Sequence, residues 1–158
     1  MNTPEQRIAE HGIILPPVPK PVASYVPAVK TRDLAYTSGQ LPFADGHLQC
    51  TGKLGLTVSV EQGRAAARTA CLNALAALRQ VIGTLDHVER IVQLLVYVHC
   101  ADNFIEQPQV ANGASELIHE IFGEHGQHTR IAVGSNVLPL NASVEVSLVA
   151  ALRESAAK

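Results

Sequence analysis

The stretch IVQLLVYVH, residues 91–99, is apolar on both faces apart from Gln93. A strand sends successive side chains to opposite sides. One that is apolar on both sides belongs inside a sheet with each face covered. Any fold for this chain must supply two layers of cover for that strand.

Two long helices are available. SVEQGRAAARTACLNALAALRQVIG, residues 59–83, opens on a Ser59/Gln62 capping box and stops at Gly83. Ala67, Cys71, Ala74, Leu75, Leu78 and Ile82 recur at helical spacing, so one stripe is buried, and the alanines predict close approach to a sheet. Asp102 predicts the cap of a short helix. Pro108 restarts a longer one through Phe122, with Val110, Ala114, Leu117, Ile118 and Ile121 as its buried stripe and Gly123 as its stop.

Strands fill most of the rest. Residues 25–42 read as two strands around a polar turn at Thr31, Arg32 and Asp33, and 43–50 as a loop or hairpin turning at Asp45-Gly46. HTRIAVGSNVLPLNASVEV, 128–146, reads as a strand pair joined by a Leu-Pro turn. In the last strand Ala142, Val144, Val146 and Leu148 share the face toward the helices, and Ser143, Glu145 and Ser147 the other. The order is ββαβαββ, an α+β fold with a mixed sheet and both helices on one face. Nothing in the chain is left for the second face, so copies of the chain are expected to cover one another in a closed symmetric oligomer. Residues 1–21 are expected to form a short helix, capped by Thr3 and Gln6 with Pro4 in its first turn, followed by a proline-rich arm. The main domain spans 22–152 and a polar tail 153–158.

Charge agrees with self-association: 16% of residues are charged, against about 25% in an average soluble protein. A formal net charge of −2 and no Lys/Arg cluster longer than two leave no basic stripe for nucleic acid, and 4% aromatic residues leave little for base stacking. No apolar run reaches the roughly 20 residues of a membrane span, and no signal peptide is visible. A cytoplasmic protein without membrane or nucleic-acid partners is expected, with Cys50, Cys71 and Cys100 reduced. His119, His125 and His128 lie close together but meet no zinc spacing. His99 and Cys100 are adjacent on a strand and point apart, so they form no dyad.

Arg130 and Glu145 are the charged residues inside the apolar run 128–146. That run, with YVPAVK (25–30), TSGQLP (37–42), the Ala-rich helix after LTVSVEQG and FGEHG (122–126), resembles the Rid/YjgF family of reactive-intermediate deaminases, also labelled L-PSP endoribonucleases. The likeness covers about residues 22–151, and the N-terminal arm marks a longer branch. It implies a chorismate-mutase-like homotrimer with ligand clefts between subunits.

The resemblance implies that Arg130 grips a substrate carboxylate, with backbone groups at Ile131 and Ala132 assisting, and that Glu145 positions or activates water. An interfacial salt bridge is the other reading of both charges, and under either the two are expected to sense each other. Tyr25, Ser38 and Gly39 fall at the implied cleft; an edge-strand aromatic and an ordinary turn are the alternatives. Relatives carry an asparagine where this chain has Ser115, and Asn112 stands one helical turn earlier. The implied activity is hydrolysis of 2-imino or enamine acids to 2-keto acids and ammonia, with no metal or organic cofactor. A non-catalytic trimer that binds a small carboxylate is the alternative. A ribonuclease fits poorly with the charge balance and with the absence of paired His-His or His-Lys residues in one motif.

Overall fold

The computed structural model describes residues 2–18, 20 and 23–154. Residue 1, residues 19 and 21 of the proline-rich arm, residue 22 at the start of the main domain and residues 155–158 of the tail lie outside the described residues. Helix α1 (Pro4–Glu10) carries the capping box of Thr3 and Gln6. It is pinned to the body through Glu5, whose carboxylate accepts the Leu85 amide at 3.0 Å and pairs with Arg79 at 3.0 Å, and through the buried Ile8.

Strands β1 (Ala28–Thr31) and β2 (Leu34–Thr37) form a hairpin, and β3 (Phe43–Ala44) and β4 (His47–Leu48) a second, small one. Helix α2 (Val60–Ile82) starts at the Ser59 capping box, with both reciprocal bonds made, at 3.2 and 2.9 Å, and stops at Gly83 with φ 88. Strand β5 (Val88–His99) is followed by α3 (Gln107–Phe122), β6 (Thr129–Ser135) and β7 (Val144–Leu152). No helix forms at Asp102. The Ala101 carbonyl instead accepts the Phe104 amide at 3.0 Å, a turn that sinks Phe104 into the core before Pro108 enters the first turn of α3.

The main sheet runs β1-β2-β7-β5-β6, with β5 and β6 parallel and the other neighbours antiparallel. Strands β6 and β7 are therefore not the pair that their proximity in sequence predicts; β5 lies between them. Residues 136–143 do not fold back as a hairpin turn. Leu140 and Asn141 take left-handed φ values of 56 and 59, and the segment crosses the end of β5 instead.

One sheet face is dry. Leu94, Val96, Val98, Val144, Val146, Leu148 and Ala150 are all 1% exposed or less beneath α2 and α3. On the other face Val29 (47%), Ile131 (45%), Val133 (41%), Tyr36 (39%) and Tyr97 (39%) lie open on the single chain. The 91–99 strand thus has one face covered by its own chain.

The helices pack closely because their contact residues are small. Ala66, Ala67, Ala70, Ala74 and Ala77 of α2 are buried, and Gly113 of α3 faces the backbone carbonyl of Arg64. A Cβ at 113 would overlap that carbonyl oxygen. Gly113→Ala gains about 1 kcal/mol in helix propensity, but backbone cannot swing aside, and overpacking costs about 1–3 kcal/mol or more. Net destabilisation is expected, read as a lower urea midpoint at unchanged m-value; a midpoint at or above the wild type would contradict the close approach.

Candidate functional site

Arg130 lies in β6 opposite Leu94 of β5, which in turn faces Leu148 of β7. Its side chain therefore leaves the sheet on the helix side, at the sheet edge. There one guanidinium nitrogen, Nη1, donates to Asn112 Oδ1 at 2.9 Å and to Ser115 Oγ at 3.1 Å, both on α3. Both partners are neutral. Among the described residues no carboxylate pairs with Arg130, and Nε and Nη2 have no hydrogen-bond partner. That Nε/Nη2 edge has the planar fork that takes a carboxylate with two parallel bonds. Because β6 is the last strand of the sheet, alternate backbone amides along it also lack a ladder partner.

Behind Ser115 stands His128. Its Nδ1 contacts the Gly126 carbonyl oxygen at 2.5 Å and its Nε2 contacts Ser115 Oγ at 3.0 Å. Burial and the nearby Arg130 charge pull the imidazole below its usual range, against the Gly126 carbonyl, which raises it. The ring is neutral at pH 7. A carbonyl only accepts, so the proton sits on Nδ1 and Nε2 accepts the Ser115 hydroxyl.

Glu145 is on β7 opposite Tyr97, on the open face. Its carboxylate lies over Gly39, where any Cβ would overlap it. Gly39 follows β2 in a stretch that continues along β7 through reciprocal backbone bonds between Gln40 and Val146, at 2.8 and 2.9 Å. Glu145 borders a cavity of about 560 Å³ whose other walls include Lys20, Tyr25, Ser38, Gly39, Leu41, Phe43 and Leu140. Desolvation raises the carboxyl above its ordinary range. Among the described residues it has no ion-pair partner.

The residues singled out in the sequence thus form two groups. Arg130, Asn112 and Ser115 meet on the helix side; Glu145, Tyr25, Ser38 and Gly39 meet on the open side. Within one chain Arg130 and Glu145 do not meet, because residues 130 and 145 belong to opposite faces of the sheet. Ile131 shares the open face, and Ala132 packs inward against the core. The Ser38 hydroxyl donates to the Val26 carbonyl at 2.6 Å, so it fastens the segment that carries Tyr25. Sequence reasoning missed two residues. His128 meets no zinc spacing in the sequence, yet it bonds Ser115 at 3.0 Å. Asn73, 1% exposed, donates to the carbonyls of Leu41 and Phe43 at 3.0 and 2.9 Å and so holds two walls of the cavity. A lone amide within the Ala-rich run of α2 was its visible signal.

A family profile described as "YjgF/chorismate mutase-like, putative endoribonuclease" matches residues 5–152. The protein TCP17 of Trypanosoma cruzi is 43% identical over 142 residues, 89% of each chain. A solved "putative endoribonuclease" of Shewanella oneidensis is 40% identical with TM-score 0.92, over 96% of this chain and 100% of that one. Atu1372 of Agrobacterium tumefaciens, described as of unknown function, is 38% identical with TM-score 0.88, over 95% and 92%. Escherichia coli TdcF, solved with bound serine, shares the fold at 20% identity and TM-score 0.63, over 87% and 94%.

The isolated Glu145 carboxylate has a stability signature. Its folded pKa lies above the unfolded value of about 4.3. Its contribution is therefore most favourable below that value and is lost as pH rises through the folded pKa. Glu145→Gln is expected to raise the urea midpoint at pH 7, a gain that vanishes as pH falls below about 4. A less stable variant at pH 7 would reveal a partner for the carboxylate.

Proposed function

The chain belongs to the YjgF/chorismate-mutase-like family; from that membership and its two half-sites we propose that it hydrolyses 2-imino acids to 2-keto acids and ammonia. The carrying observation is that a guanidinium edge and a partly desolvated carboxylate, each without an ionic partner among the described residues, occupy opposite faces of one sheet. One chain cannot bring them to a single small molecule. Neighbouring copies can, when Arg130 of one chain meets the Glu145 cavity of the next. The exposed Val29, Tyr36, Tyr97, Ile131 and Val133 are the apolar surface that such copies would bury in a closed trimer. Serine, held by TdcF of the same fold, is likewise a small molecule with a carboxylate.

In the joined cleft the Nε/Nη2 edge of Arg130 clamps the substrate carboxylate. Glu145 takes a proton from water as its oxygen bonds to the carbon of the protonated imine. The carbinolamine nitrogen then receives that proton from Glu145. The C–N bond breaks with its electron pair going to nitrogen, the hydroxyl passes its proton to the freed Glu145 carboxylate, and ammonia departs, taking up that proton as ammonium and leaving the 2-keto acid. A carboxyl whose proton affinity is raised by burial suits this exchange of roles. Such imines also hydrolyse unaided, so the clamp and a held water carry most of the task. The family's ribonuclease label draws no support from a net charge of −2 and 4% aromatic residues.

The test is hydrolysis of 2-iminopropanoate generated in situ. Wild-type protein is expected to accelerate pyruvate formation. Arg130→Ala is expected to raise KM roughly 10–100-fold, the value of charge-assisted bonds, and Glu145→Gln to lower kcat by roughly 100-fold or more. Folded wild-type protein that binds pyruvate but leaves hydrolysis at the buffer rate would establish a carboxylate-binding protein instead.

A further inference from the structure

The hydrogen bonds behind Arg130 run in one direction only. The guanidinium donates and cannot accept. Ser115 Oγ accepts from Nη1 at 3.1 Å and must send its own hydrogen elsewhere. The acceptor in reach is His128 Nε2, at 3.0 Å. That nitrogen has a free lone pair because the ring's hydrogen is on Nδ1, given to the Gly126 carbonyl. Gly126 belongs to the 3-10 turn Gly123–Gly126 that follows α3, and it is buried against the Ile118 carbonyl, so the turn is rigidly seated.

We infer that His128 is a positioning residue: through Ser115 it fixes the direction of the hydroxyl hydrogen and so holds Nη1 of Arg130, leaving the Nε/Nη2 edge aimed at a ligand carboxylate. Without the imidazole acceptor the Ser115 hydroxyl is free to rotate, and its hydrogen then points toward Nη1 in part of the population. The guanidinium keeps its bond to Asn112 alone and can swing about it. His128 touches no substrate in this arrangement. This inference rests on the assignment of Arg130 as the carboxylate clamp.

Two substitutions separate the roles of the ring nitrogens. In His128→Asn the amide nitrogen replaces Nδ1 at the Gly126 carbonyl, but nothing replaces Nε2. In His128→Gln the longer side chain returns an acceptor oxygen to Ser115. Pyruvate binding by calorimetry on the full chain is the readout, since it needs no turnover. His128→Asn is expected to weaken binding roughly 3–10-fold, the worth of one neutral hydrogen bond, and His128→Gln to recover most of it. In a Ser115→Ala background, His128→Asn is expected to add no further loss, which a purely structural histidine would not predict.

Arg130→Ala serves as the reference. If it binds pyruvate as wild type does, the clamp itself is wrong and the inference falls with it. If Arg130→Ala loses binding while His128→Asn keeps it, or if His128→Asn weakens the Ser115→Ala protein further, the positioning role alone is overturned. Should His128→Asn fail to fold, His128→Leu, which also lacks the acceptor, takes its place in both backgrounds: a loss of affinity in the Ser115 protein that is absent from the Ser115→Ala protein supports the relay, and equal losses in both, or none in either, refute it.

Discussion

Two helices can cover only one side of a five-stranded sheet, and here both lie over the same side. Each fully buried Leu, Ile or Val contributes about 1.5–3 kcal/mol, so the rows headed by Leu94, Val96 and Leu148 account for much of what holds the chain together. The opposite rows contribute little until something covers them. The small residues of α2 and Gly113 of α3 set how tightly the covering layer sits. That layer in turn sets where Asn112 and Ser115 stand relative to the sheet edge. The geometry around Arg130 is therefore a consequence of helix packing rather than an independent feature of β6.

Electrostatics separates what packing joins. A partly buried charge without a counter-charge is unfavourable, and this chain keeps two of opposite sign on opposite faces of one layer. Arg130 is made tolerable by two neutral oxygens, Glu145 by being only half-buried at the border of a cavity. Neither arrangement satisfies the group completely. The shortfall on each face is the affinity available to a ligand with the matching charge pattern.

The regular elements were legible because local signals and packing agree in them. The capping boxes at Thr3 and Ser59 mark where helices start, and the alternation in 142–148 and the stripe from Val110 to Ile121 each report a face that the fold buries. The order of the strands was less legible. Residues 136–143 carry the marks of a turn, yet their two left-handed residues, Leu140 and Asn141, have no glycine to announce them, and the segment crosses a strand instead of reversing. Which charges meet depends on that order, so the separation of Arg130 from Glu145 was hidden for the same reason. The contacts of His128 and Asn73 depend on distances between elements, which spacing in a sequence does not encode.

The position of β7 has a consequence for how the protein is made. The last of the described strands lies between β2 and β5, each of which pairs with it along an edge. A ribosome delivers the chain in order, so the β1-β2 hairpin and the β5-β6 pair emerge with nothing to join them. Until residues 144–152 arrive, two unpaired strand edges and an Ala-rich helix without its sheet are exposed together, the condition under which nascent chains associate wrongly. Completion of the sheet is a late insertion between two waiting halves. The cavity at Glu145 and the opposition of its charge to Arg130 come into being in that same final step.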